Sequence, residues 1–248
     1  MRDYHIHTTF SDGADTPEDM VRAAIEKGID TIGFSDHSYT FFDESYCMMR
    51  SEIPEYIRTV SELKERYAGK ITVLCGIEQD YFSAEGTEGY DYIIGSVHYV
   101  RADGEYIPVD ESAEILWDAV NTRFGGDVYA LVEEYFSNVG DVVRKTGADI
   151  IGHFDLITKF NENGELFDTA HPRYMAAWQR AADRLLETGK VFEINTGAIS
   201  RGYRRLPYPD GDMIDYIRSR GGKFILSSDS HSRETMCYGF EKYEKLIK

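Results

Sequence analysis

Tyr4-His5-Ile6-His7-Thr8-Thr9-Phe10-Ser11-Asp12-Gly13 opens the chain. His5 and His7 stand two apart at the end of a short Tyr/Ile run. In an extended strand residues i and i+2 face the same side, so both imidazoles can converge on one point. Asp12 follows on the next loop. Imidazole and carboxylate together make a nitrogen/oxygen donor set suited to Zn, Fe, Mn or Ni. A single His-x-His pair is weak on its own, because two histidines in a polar strand can equally be hydrogen-bonded to their surroundings. Its weight depends on where the other histidines fall.

Outward from that stretch, short apolar runs alternate with helical ones. The first strand is expected over residues 2–7. Others are expected at 30–34, 71–78, 92–98, 149–153, 191–195 and 223–227. Helices are expected from Thr16-Pro17 to about Lys27, then over 52–67, 112–120, 127–146, 172–188 and 210–220, with a last helix closing the chain. Thr16 before Pro17 is a helix start and Gly28 a stop. Residues 39–51 carry Phe41, Phe42, Tyr46 and Met48 in a long aromatic loop, which reads either as a satellite cluster or as a lid. Seven apolar strands spaced by helices indicate a parallel sheet covered on its outside. At this length the natural closure is a (β/α) barrel, whose chemistry sits at the C-terminal ends of the strands.

Six of the seven histidines obey that rule: His5, His7, His37, His98, His153 and His231 fall at or just after expected strand ends. Only His171, before Pro172, does not, and it reads as a surface or helix-cap residue. Glu78 and Asp229 also stand at strand ends, and Asp12 follows the first strand. Closing the barrel brings these nine side chains to one mouth. One catalytic zinc takes three protein ligands and a water, so nine suit two or three ions. Paired ions about 3.5–4 Å apart clamp an in-line phosphoryl displacement. With no cysteine in the set, Zn, Mn, Fe and Co all remain open.

Composition sets the outer limits. The 248 residues are 42% hydrophobic, enough for one large α/β domain over 1–248. The net charge of -17 disfavours long nucleic acids. Cys47, Cys75 and Cys237 are few, odd in number and far apart, which fits a reducing cytoplasm better than a disulfide framework. His5 arrives before any apolar signal region could form. No apolar run approaches the roughly 18 residues of a membrane span.

The motifs His5-x-His7-x-x-x-x-Asp12-Gly13, Ser35-Asp36-His37, Gly76-Ile77-Glu78, Gly95-Ser96-Val97-His98, Gly152-His153 and Ser228-Asp229-Ser230-His231 run through the whole chain. In that order they resemble the PHP (polymerase and histidinol phosphatase) family. The resemblance implies a distorted, TIM-like (β/α)7 barrel with up to three metals. It places His5, His7, Glu78 and Asp229 on the first metal. A bridging Glu78 with His98 and His153 would hold the second, and Asp12, His37 and His231 the third. Some members have histidine where Asp12 stands; a carboxylate there makes the third site harder.

Arg201-Gly202-Tyr203-Arg204-Arg205 is the densest basic stretch in this acidic chain, and it follows an expected strand end. Arginine binds phosphate bidentately, so Arg201 and Arg204 are candidate phosphate ligands, with Lys159 a third. Solvated surface arginines are the bland alternative. Glu193-Ile194-Asn195-Thr196 with the later Pro207-Tyr208-Pro209, and Gly152-His153-Phe154-Asp155-Leu156, resemble the histidinol-phosphatase branch. The resemblance implies hydrolysis of L-histidinol phosphate by in-line attack of a metal-bridging hydroxide, with Asp36 or His231 as proton donor. The aromatic loop and acidic rim would suit a cationic amino-alcohol. The competing expectations are a phosphatase or phosphodiesterase for nucleotides or another small ester, and a non-enzymatic accessory module.

Overall fold

The computed structural model describes residues 1–247. Seven strands form one sheet: β1 (Arg2–Asp3), β2 (Thr31–Phe34), β3 (Thr72–Asp80), β4 (Tyr92–Ser96), β7 (Ile150–Ile151), β8 (Val191–Asn195) and β9 (Phe224–Ser227). Every neighbouring pair is parallel. Beyond the regular strands Ile6 pairs with Ser230. There the His7 N–H donates to the Ser230 carbonyl at 2.9 Å, and the Ser230 N–H to that of His5 at 3.1 Å. These bonds join the first strand to the last and close a distorted seven-stranded barrel. Between β4 and β7 the chain adds an antiparallel hairpin, β5 (Tyr99–Ala102) with β6 (Glu105–Pro108).

Helices cover the outside: α1 (Pro17–Glu26), α2 (Ile53–Arg66), α3 (Ala113–Arg123), α4 (Val128–Val139), α5 (Val142–Thr146), α6 (Pro172–Leu186), α7 (Gly197–Ser200), α8 (Gly211–Ser219) and α9 (Phe240–Tyr243). Local sequence explains their starts. Thr16 accepts from the Asp19 N–H ahead of Pro17, and α1 then buries Met20, Val21 and Ala24 on one face. None of the described helices is long and apolar enough to cross a membrane. All three cysteines are free and buried.

The period-two alternation of the strands sorts side chains to two faces. Val73, Cys75 and Ile77 of β3, Phe192 and Ile194 of β8, and Leu226 of β9 join the large apolar layer beneath the helices. The alternate residues face inward. Leu74, Tyr92, Ile94, Val191 and Ile225 form a separate apolar plug with Tyr4 and Ile150. Four strands then continue, two residues at a time, from that plug into polar side chains: Leu74 to Glu78, Ile94 to Ser96 and His98, Val191 to Glu193, Ile225 to Asp229. The plug needs bare backbone beside it, since a Cβ on Gly33 or Gly76 would lie 2.4 or 2.3 Å from the Tyr92 ring and hydroxyl.

Three expectations need correction. The first strand is regular only at Arg2–Asp3 and then reduces to the single bridge at Ile6, because its partner there is the irregular segment after β9. The helix expected over 127–146 is two helices, α4 and α5, with Gly140 and Asp141 between them. The β5–β6 hairpin was not expected, although Asp103 and Gly104, both at positive φ (51° and 88°), are the Asp-Gly pair that favours a two-residue hairpin turn.

Asp3 ties the closure together. Its buried carboxylate accepts from the Ser228 N–H and hydroxyl and from the Cys237 N–H. Asp3→Ala leaves those donors unpaired, and urea unfolding should show a loss of about 2–4 kcal/mol. Unchanged stability would mean that the barrel does not depend on this link.

Candidate metal centre

The C-terminal ends of the strands converge on Glu78, which is 1% exposed. Its Oε2 faces His5 Nε2 at 3.3 Å, His7 Nε2 at 3.5 Å and His37 Nδ1 at 2.8 Å. Its Oε1 faces the opposite group, His153 Nε2 at 2.9 Å and His98 Nε2 at 3.4 Å, and accepts from the Ser96 hydroxyl at 2.6 Å. One carboxylate thus stands between two sets of imidazoles. Asp229 Oδ1 lies 3.3 Å from His7 Nε2 and 3.8 Å from His5 Nε2. Asp12 approaches from the first loop, with Oδ2 3.2 Å from His231 Nε2 and Oδ1 3.7 Å from His37 Nε2.

Among the described residues, donor atoms gather in three overlapping groups: His7, Asp12, His37 and His231; His5, His7 and Asp229; and His37, Glu78 and His98. The last pairs His37 with Glu78 and His98, whereas the resemblance had allotted it to Asp12 and His231; its two ring nitrogens face both. Asp229 adopts a positive φ of 48°, a strained conformation for a non-glycine residue, and Gly197 makes room for it. A Cβ at Gly197 would stand 2.7 Å from that of Asp229.

The donor set suits divalent cations. His5 Nε2, both ring nitrogens of His7, Glu78 Oε2 and His153 Nδ1 are buried without hydrogen-bond partners. Leaving such atoms unmade is costly, and an ion among them would satisfy several at once. The electrostatics divide the histidines: burial is outweighed by carboxylates, Glu78 among them, which raise the pKa of His5, His37 and His98, while that of His7 goes the other way. Burial, aided by the neighbouring His231 and His37, pulls the His7 pKa down to about 3, which keeps the ring neutral with one nitrogen lone pair free. Burial works against ionisation of Glu78, yet His5, His37 and His98 outweigh it and hold its carboxyl well below the usual range. For Asp229, Arg201 and His5 do the same.

Behind the histidines stand two carboxylates that the sequence reading did not assign. Glu193 Oε2 meets His5 Nδ1 at 2.9 Å, and Asp80 Oδ2 meets His98 Nδ1 at 3.2 Å. Both lie an even number of residues from other inward-facing positions of their strands, and that periodicity was the available signal.

The other candidates separate. A cavity of about 340 Å³ opens over the centre, lined by Asp12, His37, Glu78, His98, His153, Asp229 and His231 together with Arg201 and Lys159. Arg201 is anchored there, donating to the Asp229 carbonyl at 2.9 Å and to its Oδ2 at 3.1 Å. Lys159 donates to the Asp110 carbonyl across the cavity at 2.7 Å. Arg204 does not reach this cavity. It is buried with Thr158 and Asp155, over the Tyr208 ring, and lines a neighbouring cavity of about 580 Å³. Its expected place in the phosphate pocket is therefore corrected: after α7 the chain turns its side chain toward the segment following β7. Asp36 also misses the cavity. Its oxygens accept from the Thr8 N–H and hydroxyl and from Ser11, so it fixes the loop carrying Asp12 instead of facing a substrate.

The aromatic loop packs as the satellite cluster. Phe42 stacks on Tyr106 of β6 at 3.8 Å, inside a cluster with Phe41, Phe82 and Tyr99. Asp43, Ser45 and Tyr46 line the cavity. The loop is a wall docked on the β5–β6 hairpin.

Residues 3–197 match the PHP domain family. The chain belongs to that family. β9, with Asp229 and His231 just beyond it, lies past the matched residues but completes the same barrel. Two relatives span nearly the full length of this PHP chain. A probable histidinol-phosphatase from Deinococcus radiodurans is 29% identical over 99% of the chain and 92% of its own length. The histidinol-phosphatase of Bacillus subtilis is 25% identical over 98% and 97%. Two solved structures share the fold. The hisK protein of Listeria monocytogenes superposes with a TM-score of 0.81 at 22% identity, covering 98% of this chain and all of its own. The histidinol phosphate phosphatase of Lactococcus lactis, solved with zinc, L-histidinol and phosphate, gives 0.72 at 21%, covering 99% and 92%.

His171, the one histidine away from the mouth, caps α6. Its Nδ1 accepts from the Arg173 N–H at 3.2 Å, and its ring stacks on Tyr129 at 3.8 Å. His171→Ala should cost about 0.5–2 kcal/mol in thermal or urea unfolding while metal content stays at the wild-type level. Loss of metal would place it in the centre after all.

Proposed function

We propose that this PHP domain, acting as one unit over residues 1–248, is a metal-dependent phosphatase that hydrolyses L-histidinol phosphate to L-histidinol and phosphate. The observation that carries the reading is Glu78, whose two oxygens face two separate sets of imidazoles beneath a cavity that also holds the Arg201 guanidinium. The names of the full-length relatives support the choice of ester.

His5, His7, Glu78 and Asp229 would hold one ion, Glu78, His98 and His153 a second, and Asp12, His37 and His231 a third. The metals are Zn, Mn or Fe. Such paired ions, when bound, supply a hydroxide nucleophile at neutral pH and neutralise phosphoryl oxygens. The side chains do the rest. Arg201, fixed by Asp229, binds the phosphate at the rim and adds positive charge where the transition state gains negative charge. Asp110 and Glu111, with Tyr46 and Tyr99, form an acidic and aromatic part of the cavity wall. That wall suits the cationic end of the amino-alcohol. Of the two proton donors considered, only His231 reaches the cavity. Its Nε2 can serve only when no ion beside Asp12 engages it, so filling the third position trades against proton donation.

Elemental analysis of purified protein should find two to three transition-metal equivalents per chain, and chelation should abolish turnover of L-histidinol phosphate. A chain fully active with one ion or none would contradict the reading. Steady-state kinetics should separate the two arginines. Arg201→Ala should lower kcat/KM by about 10- to 100-fold, the effect of losing a charge-assisted contact of about 1.5–3 kcal/mol. Arg204→Ala should leave kcat/KM within about threefold but destabilise the fold by about 3–5 kcal/mol, because it strands the buried Asp155 carboxylate. The reverse pattern would return Arg204 to the phosphate site.

A further inference from the structure

Glu193 lies inside the barrel on β8 and is fully buried. Its two oxygens have different jobs. Oε1 accepts two hydrogen bonds, from the His153 backbone N–H at 2.6 Å and from the Asn195 side-chain amide at 2.8 Å. Both partners are donors in fixed places. The first belongs to the backbone, and the Asn195 amide is oriented because its own Oδ1 accepts from the Gly197 N–H at 2.8 Å. Oε2 meets a single partner, His5 Nδ1, at 2.9 Å. The far nitrogen of that ring, Nε2, is buried without a hydrogen-bond partner and faces Glu78 and Asp229.

A neutral imidazole carries its proton on one nitrogen only, and the other supplies the lone pair. An acceptor at Nδ1 puts the proton there and leaves the lone pair on Nε2, aimed into the centre. Resting on the metal-dependent reading above, we propose that Glu193 is a positioning residue that selects the Nδ1–H tautomer of His5 and so makes His5 a ligand. The same carboxylate fixes the backbone at His153, so it also sets two ligand-bearing strand ends relative to one another.

The arrangement has an unusual consequence for the isosteric variant. In Glu193→Gln the amide oxygen must take the Oε1 position, since two N–H groups point there. The amide NH2 is then forced to the Oε2 position, where it donates to His5 Nδ1. Every hydrogen bond in the cluster is still made, so the fold survives. The proton of His5, however, moves to Nε2, and the ring presents N–H where a lone pair is needed. Glu193→Ala removes the instruction without reversing it, because a water can occupy the space and His5 can take either tautomer.

The two variants therefore rank in an order that a packing role cannot reproduce. Zinc affinity, measured by competition with a chromophoric chelator, should fall about 10- to 100-fold in Glu193→Gln, a size usual for partners behind a metal-bound histidine. Glu193→Ala should lose less zinc affinity than Glu193→Gln while losing more stability in urea. In zinc-loaded wild type, nitrogen-15 spectra of histidine-labelled protein should show His5 protonated at Nδ1; in Glu193→Gln at the same zinc concentration, at Nε2. Zinc affinity and tautomer unchanged in Glu193→Gln would overturn the proposal, as would Glu193→Ala proving the worse zinc binder. Normal His5 tautomers in a protein that binds no zinc at all would instead refute the metal-dependent reading, leaving the Glu193 assignment to stand on the spectra.

Discussion

A single ionised carboxylate at the centre of the barrel, Glu78, sets the terms for the structure around it. Burying a carboxylate out of water costs several kcal/mol unless it is paired and hydrogen-bonded. Five imidazoles and the Ser96 hydroxyl surround this one. The surroundings are shaped to allow it. Gly152 has no side chain because a Cβ there would lie 2.4 Å from Ser96 Oγ. The barrel must also close for His5 and His7 to reach Glu78, and closure depends on Asp3 and on the two backbone bonds at Ser230. Stability and chemistry therefore meet in the same layer of side chains.

The cavity above that layer is mixed in charge. It is lined by the histidines, Asp12, Asp229 and Arg201, and also by Asp43, Asp110 and Glu111 with Tyr46 and Tyr99. In a chain of net charge -17 this cavity thus holds a guanidinium together with several carboxylates. Lys159 also lines it, tethered to Asp110 and 4.7 Å over the Tyr203 ring.

The sequence disclosed the parts of this arrangement that obey a period or a rule of position. Strand-end histidines stand out because imidazole is rare and a parallel barrel gathers those ends, so the seven-stranded barrel and the residues at its mouth were readable together. Glu193 and Asp80 were not, because strand period marks them as inward-facing but does not tell which ring nitrogen each carboxylate meets. Arg201 and Arg204 differ by three residues and by one turn of chain after α7, and only the packing of Thr158 and Asp155 decides that the second points elsewhere. Asp36 sits beside His37 in sequence but is drawn to Thr8 and Ser11 across the strands. The β5–β6 hairpin was available in Asp103-Gly104, in the connection between the fourth strand and the helix after it.

The central claim is that Glu78 is shared between two ions, one for each of its oxygens. Its most direct test is the metal content of Glu78→Gln, an isosteric change that leaves the neighbouring histidines in place. With folding checked by circular dichroism, elemental analysis should find at least two equivalents fewer than in wild type, because both positions lose their common anion. Loss of a single equivalent, or a full complement retained, would contradict the account.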